Sequence, residues 1–209
     1  MSIQSISQLL ADHRIWSASQ KKQTGVAALS SGYESLDHCL NGGGWPLGTL
    51  IECQSEHTGI GELQVFLPAM RNLCNRQDKA IFWVDPPHLP YPPAMINAGL
   101  VPQQFYRVQS HEREERLWAL EQLLRCPAVG LVMGWSDTLD NTAARRLQLA
   151  AEAGKTLGVI MTRYSTPSAP PPLRLSLAPE NGQLQVRIRR QRGGQGAVTA
   201  LSFPLQVPL

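Results

Sequence analysis

Two small groups of side chains have the residue types that enzymes use for chemistry. Asp37, His38 and Cys39 are consecutive and contain an acid, a base and a nucleophile, while His57 and Glu62 could both ligate a metal ion. A nucleophile needs a base held within hydrogen-bond reach, and nothing else in the pattern positions one. The spacing of His57 and Glu62 is not that of a metal-binding motif. The residues alone therefore indicate neither a nucleophilic centre nor a metal centre, and we expect no cofactor.

The cysteines and the apolar segments indicate the cellular compartment in which the protein folds. Cys39, Cys53, Cys74 and Cys126 are far apart and form no CxxC pair, which predicts neither a disulfide framework nor a zinc site. The first residues lack the basic and apolar run of a secretory signal, and prolines interrupt the longest uncharged stretch, 86–106. We expect a cytoplasmic protein without a membrane segment.

Length and composition predict one globular unit with its charge unevenly placed. The chain has 209 residues, 43% of them hydrophobic and 17% charged, and a formal net charge of +3. From Leu173 onward there are five arginines and one glutamate, a net charge of +4, whereas the preceding residues sum to −1. Basic surface is therefore expected in the last segment.

Short apolar runs alternate with amphipathic segments through the middle of the chain. Runs typical of buried strands are Thr49–Cys53, Ala80–Val84, Val129–Met133 and Leu157–Met161, with Tyr106–Gln109 a weaker candidate. Helical patterns lie between them at Gly61–Asn75, Glu112–Arg125 and Asn141–Ala153, and Gly154 is placed to stop the last helix. This alternation predicts an α/β fold with a mostly parallel sheet flanked by helices.

The pattern changes after Met161. The proline-rich stretch Ser165–Pro172 predicts a loop, and Leu173–Leu177, Leu184–Arg190 and Ala197–Phe203 predict a C-terminal antiparallel β extension over 172–209. The middle strand alternates apolar with polar residues, so one face is buried and the other is basic. Its arginine row consists of Arg187, Arg189, Arg190 and Arg192. This row is either a solvated face or a contact for DNA phosphates or for an acidic partner.

Both ends of the chain have apolar residues that could bind a partner. Ile3–Trp16 has the spacing of an amphipathic helix, and a polar linker follows it, so residues 1–24 are separated from a main domain at 25–209. The helix either packs on its own domain or docks on a neighbour. The C-terminal segment 201–209 is either an edge strand or a partner-binding tail.

The segment Leu29–Glu62 resembles the entrance of the RecA family of recombinases and ATPases. The residues that carry the resemblance are Ser31, Gly32, Leu36 and Asp37, the glycines at 42–44, Pro46 and Gly48, followed by a strand and a loop. The resemblance implies a RecA-like core for the main domain. In that family the loop binds nucleotide phosphates through backbone N–H groups, a lysine and a Ser or Thr hydroxyl.

The positions that would perform ATP chemistry carry other residues here. On the family's pattern Gly61 replaces the lysine and Glu62 the magnesium-binding hydroxyl, while Pro87 replaces the catalytic glutamate and Gly134 the magnesium-binding aspartate. Losing these groups together leaves no route to ATP hydrolysis. The comparison therefore predicts no catalytic residues and a degenerate phosphate loop made of Ser55, Gly59, Gly61 and Glu62.

Most of the chain resembles the ImuA family of SOS-associated accessory proteins of translesion synthesis, and its second half also resembles the cell-division inhibitor SulA. The motifs lie at Arg14-Ile15-Trp16, at 42–46, at 59–64, at 145–152 and at Arg190–Gly194. SulA-like proteins resemble chiefly the region from Gly134 to Met161 and usually lack the entrance at 29–62. The presence of the segment 29–62 therefore favours the ImuA family over SulA.

The ImuA resemblance implies a non-catalytic adaptor. Such a protein would bind an ImuB-type relative of Y-family polymerases and RecA, and through them an error-prone C-family polymerase at damaged DNA. The N-terminal residues expected to contact RecA or ImuB are Ile6, Leu9, Leu10 and Trp16. The alternatives are a SulA-like inhibitor of cell division that binds FtsZ, and an active RecA-like ATPase, which the replaced positions disfavour.

Overall fold

The computed structural model describes residues 27–164, 171–193 and 196–201. Within these ranges the strands are β1 (Ala28–Leu29), β2 (Trp45–Pro46), β3 (Leu50–Ser55), β4 (Ala80–Val84), β5 (Phe105–Val108), β6 (Val129–Ser136), β7 (Leu157–Thr162), β8 (Leu173–Glu180), β9 (Gln183–Gln191) and β10 (Ala197–Leu201). The α-helices are α1 (Glu34–Cys39), α2 (Leu67–Gln77), α3 (Pro92–Asn97), α4 (Arg113–Arg125) and α5 (Asn141–Gly154), with 3₁₀ turns at Glu62–Val65 and Pro102–Gln104.

One mixed sheet of eight strands organises the fold, in the order β10-β9-β8-β3-β7-β6-β4-β5. The six strands from β8 to β5 pair in parallel, and β9 and β10 continue the sheet in antiparallel pairing. This confirms the predicted α/β class, the mostly parallel sheet and the antiparallel extension. A separate antiparallel pair joins β1 to β2.

The sheet is buried on both faces in its parallel part. On one face Ile51 and Val159 belong to an apolar cluster that includes Met70 of α2. On the other face Leu50 and Ile160 belong to a cluster with side chains of α4 and α5. Because neighbouring residues of a strand point to opposite faces, the apolar runs recognised in the sequence supply both clusters.

The last turn of α5 shows how close packing sets a helix boundary. The helix begins after Asp140, whose carboxylate accepts a hydrogen bond from the Ala143 N–H at 2.9 Å. The left-handed cap that the sequence predicts at Gly154 lies instead at Lys155, which has φ +54°. Gly154 has a different role, because a Cβ atom there would lie 2.1 Å from the carbonyl oxygen of Leu124 in α4.

Several elements differ from the sequence prediction. The helix expected at Gly61–Asn75 is divided into the 3₁₀ turn Glu62–Val65 and α2, which begins at Leu67. Strand β6 continues three residues beyond Met133, and the short helices α1 and α3 were not predicted. The N-terminal segment 1–24 and the residues after Leu201 lie outside the described residues, so their predicted structure stays a prediction.

Among the described helices, none is long and apolar enough to cross a bilayer.

Candidate functional site

A cavity of about 270 Å³ opens at the carboxyl ends of β3, β6 and β7. This is the edge at which α/β sheets bind ligands. Its walls are formed by Ser55, Glu56, His57, Thr58, Glu62, Pro87, Arg116, Trp135, Ser136, Asp137, Met161, Thr162 and Arg163. The loop singled out in the sequence therefore forms one wall of this cavity.

The loop after β3 has the backbone shape that its glycines allow. Ser55 is the last residue of β3, and its hydroxyl donates to the carbonyl of His57, which tightens the turn. Gly59 and Gly61 have φ values of +79° and +94°, in the left-handed region that residues with a side chain rarely adopt. The 3₁₀ turn begins directly afterwards, at Glu62. The strand, loop and helical entry thus follow one another as the sequence predicts.

Glu62 supplies the loop with its own anion. Its side chain lines the cavity, the residue is only 8% exposed, and Oε1 accepts a hydrogen bond from the Gly59 N–H at 3.0 Å. Among the described residues, no lysine, arginine or histidine forms an ion pair with this carboxylate. A loop N–H that could face an external anion is therefore already satisfied by a carboxylate of the same chain.

Cys53 lies buried in β3, two residues before the end of the strand, where the loop begins. Burial raises the pKa of its thiol, and the nearby Glu62 and Glu52 carboxylates raise it further. A thiol that stays protonated is a poor nucleophile. Cys53 therefore belongs to the core.

The two other positions compared with ATPases lie in different places. Pro87 lines the cavity, as expected for the residue at that strand end. Gly134 lies within its strand, because β6 runs on to Ser136. A Cβ atom at position 134 would lie 2.9 Å from the side chain of Leu120 in α4. The predicted end of this strand at Met133 is therefore wrong, and Trp135, Ser136 and Asp137 line the cavity near the end of β6.

Asp85 anchors the side of the cavity next to β4. It has a left-handed φ of +51°, and its carboxylate accepts hydrogen bonds from the N–H and hydroxyl of Ser110 and from Nε of Arg116, the last at 2.6 Å. Burial alone would raise the pKa of Asp85, but the hydrogen bonds from Ser110 and Arg116 outweigh it and lower the pKa. The Arg116 side chain, which lines the cavity, is thereby held and neutralised.

The acid, base and thiol at 37–39 do not form a catalytic set. The Asp37 carboxylate accepts hydrogen bonds from the Ser30 hydroxyl at 2.7 Å and from the Ser31 N–H at 2.8 Å. His38 donates through Nδ1 to the carbonyl of Glu34, one helical turn earlier. These bonds stabilise the turn before α1 and the helix itself. No group of three potential metal ligands occurs among the residues that the structure describes.

The arginine row lies on β9 and directly after it, and β9 is separated from β3 by one strand of the sheet. Leu184, Val186 and Ile188 are buried as predicted, and Arg187, Arg189, Arg190 and Arg192 are exposed. Arg189 donates through Nε to the Ser176 hydroxyl at 2.9 Å. The predicted partner-binding residues Ile6, Leu9, Leu10 and Trp16 lie outside the described residues.

Several cavity residues escaped sequence reasoning. Arg116, Asp137 and Arg163 come from different elements and follow no motif spacing. Their position directly after or beside strand ends is the signal that could have found them, since carboxyl ends of parallel strands meet at one edge.

Comparison with known proteins gives a consistent set of relatives. Residues 49–158 match the family model described as "Cell division inhibitor SulA". The protein named ImuA from Caulobacter vibrioides (strain NA1000 / CB15N) is 28% identical over 202 residues, which covers 83% of this chain and 82% of the relative.

Two proteins named cell division inhibitor SulA match a shorter region. The one from Edwardsiella piscicida is 31% identical over 101 residues, 47% of this chain and 59% of the relative. The one from Photorhabdus laumondii is 30% identical over 98 residues, 47% of this chain and 55% of the relative. Similarity to ImuA thus extends well beyond the part shared with SulA.

Proposed function

Because this chain belongs to the ImuA family and its residues 49–158 match the SulA family model, we propose that it is a non-catalytic accessory protein of SOS-induced translesion DNA synthesis. Its partners are an ImuB-type relative of Y-family polymerases and RecA. Through them it reaches an error-prone C-family polymerase at damaged DNA. The extent of the match to ImuA, 83% of the chain against 47% for SulA, supports this choice.

The carboxylate of Glu62 is the observation that carries the non-catalytic part of the proposal. The β3 strand, its loop and the following helical entry support a RecA-like core with a degenerate phosphate loop. A triphosphate placed there would meet Glu62 where an ATPase offers a lysine and a magnesium-binding hydroxyl. Pro87 offers no carboxylate to activate water. The protein therefore acts by holding partners together.

Co-purification tests the partners. The tagged chain is mixed separately with the ImuB-type relative and the RecA of the same organism, and with FtsZ. Capture of the first two without FtsZ is expected. Retention of FtsZ, together with filamentation of cells that overexpress the chain, would overturn the accessory role in favour of the SulA-like alternative, which the family-model match keeps as the second candidate.

Nucleotide turnover tests the absence of catalysis. The purified chain is freed of RecA and incubated with ATP, either alone or with duplex or single-stranded DNA. We expect it to release no more phosphate than a buffer blank. Turnover that disappears on replacing Glu62 by alanine would place catalysis at this loop and refute the proposal.

A further inference from the structure

One face of the β extension is left open by the described helices. It is formed by the residues of β8, β9 and β10 that alternate with the buried ones, and we call it the arginine face. Its members are Ser176, Ala178, Gln185, Arg187, Arg189, Arg190, Val198 and Ala200. Gln185 and Ser176 are partly exposed and the others are exposed, whereas Leu175, Val186 and Ile188 on the opposite side are in the core.

A bulge in β9 gathers the arginines on this one face. Strict alternation would turn Arg190 toward the core together with Ile188. The register shifts instead, because Arg174 pairs with Arg190 while the next residue, Leu175, pairs with Ile188. Arg189 is thus the extra residue of the bulge, and Arg190 returns to the side of Arg187. The guanidinium groups of three arginines within four consecutive residues therefore lie on the same face of the sheet.

These charges are not compensated within the described residues. Arg187, Arg189 and Arg190 form no ion pair with any described carboxylate. Arg174, which stands directly opposite Arg190, is paired with the buried carboxylate of Glu52 at 2.6 Å, so that carboxylate is already engaged. Like charges on neighbouring strand positions repel one another. An external anion would relieve this repulsion.

The neutral residues of the face decide between kinds of anion. A stable protein interface needs apolar or aromatic anchors at its centre, and the largest apolar residue of the arginine face is Val198. A binding surface for single strands stacks bases on aromatic rings, and this face has none. Small and polar neighbours such as Ser176 and Gln185 are instead the donors that accompany arginine at phosphates.

We propose that the arginine face binds the phosphate backbone of duplex DNA, without reading its sequence. From Arg187 to Arg190 the strand rises about 3.3 Å per residue, so these arginines span about 10 Å. One strand of a duplex presents a phosphate every 3.4 Å of axis, or about three over that length. The proposal goes beyond the accessory role and does not depend on which proteins the chain binds.

Fluorescence anisotropy with a labelled 30-base-pair duplex of mixed sequence tests the proposal on the full chain between 50 and 200 mM salt. The variant is Arg187→Gln/Arg190→Gln, and its matched control is Arg76→Gln/Arg145→Gln, which removes two exposed arginines from helices α2 and α5. We expect the first variant to weaken binding at least about tenfold and to shallow the log–log salt slope by about two, since each phosphate contact contributes about one.

Three results would overturn the proposal. The two double variants could weaken duplex binding equally, or a labelled 30-mer of thymidylate could bind more tightly than the duplex. Polyglutamate at equal charge concentration could also displace the duplex from the protein. The variant Arg187→Lys/Arg190→Lys keeps the charge and is expected to keep the salt slope, which separates charge loss from misfolding. Capture of the ImuB-type relative and RecA is scored in a separate assay, so failure here and failure of the accessory role are distinguishable.

Discussion

Replacing Arg174 by methionine removes one partner from an ion pair inside the sheet. Arg174 lies on β8 and Glu52 on β3, in directly paired positions, and their side chains meet at 2.6 Å. The Glu52 side chain is fully buried, and that of Arg174 is 12% exposed. Arg174→Met keeps most of the volume of the side chain but leaves the carboxylate without its cation.

The expected cost follows from the burial of Glu52. Breaking a buried pair by removing one partner costs about 3–5 kcal/mol, because the remaining charge cannot reach water. For a chain of this length, 1 kcal/mol corresponds to a fall in Tm of about 2–4 °C, so the variant should melt about 6–20 °C lower. The double variant Glu52→Leu/Arg174→Met removes both charges and should recover most of this loss.

Urea unfolding followed by circular dichroism measures these differences, with Arg146→Met as the control. Arg146 pairs with Glu121 across α4 and α5, but its side chain is 54% exposed, so its loss should cost less than about 1 kcal/mol. The reasoning is refuted if Arg174→Met costs no more than the control, or if the double variant is as unstable as Arg174→Met alone.

Three further predictions concern the core and the edge of the cavity. Asp85→Asn should cost about 1–3 kcal/mol at pH 7. Because the pKa of Asp85 is lowered in the folded protein, this contribution begins to shrink as the pH falls below the ordinary pKa of an aspartate, and the unfolding curves of the two proteins should converge only below the lowered pKa. The raised pKa of Cys53 keeps its side chain a thiol, so in native protein at pH 8 it should be alkylated more slowly than the half-buried Cys39. Mass spectrometry measures the order of labelling, and earlier labelling of Cys53 would contradict its burial. Gly154→Ala should lower Tm by several degrees, since its Cβ would meet the backbone oxygen of Leu124, and an unchanged Tm would show that α4 and α5 can separate without cost.

The parallel strands were predictable because the apolar residues that each strand buries are adjacent in the sequence. β4 and β7 are almost entirely apolar, and in β3 only Glu52 interrupts the apolar residues from Leu50 to Cys53; both faces of these strands are covered. The charge order of α4 and its apolar stripe likewise identify that helix without reference to the rest of the fold.

The features that the sequence does not reveal depend on partners distant in the chain. Gly134 carries no apolar side chain to extend the run that ends at Met133, yet β6 continues because β4 and β7 pair with it on both sides. The bulge that returns Arg190 to the outer face arises from the pairing of β9 with β8. The cavity is similarly assembled from strand ends that local patterns cannot bring together.

If the loop after β3 is a degenerate phosphate loop, as we propose, the Glu62 carboxylate would weaken the binding of a nucleotide in the cavity. At about 4 Å and an effective dielectric constant of about 20, two unit charges interact by about 4 kcal/mol. A triphosphate near Glu62 would meet such repulsion where a phosphate loop normally offers a lysine. Glu56 and Asp137 also line the cavity, and its basic residues are Arg163 and Arg116, the latter already paired with Asp85. Under the accessory role we propose, ATP-dependent switching therefore has to come from a partner such as RecA, while this chain contributes surfaces whose affinity does not change with nucleotide.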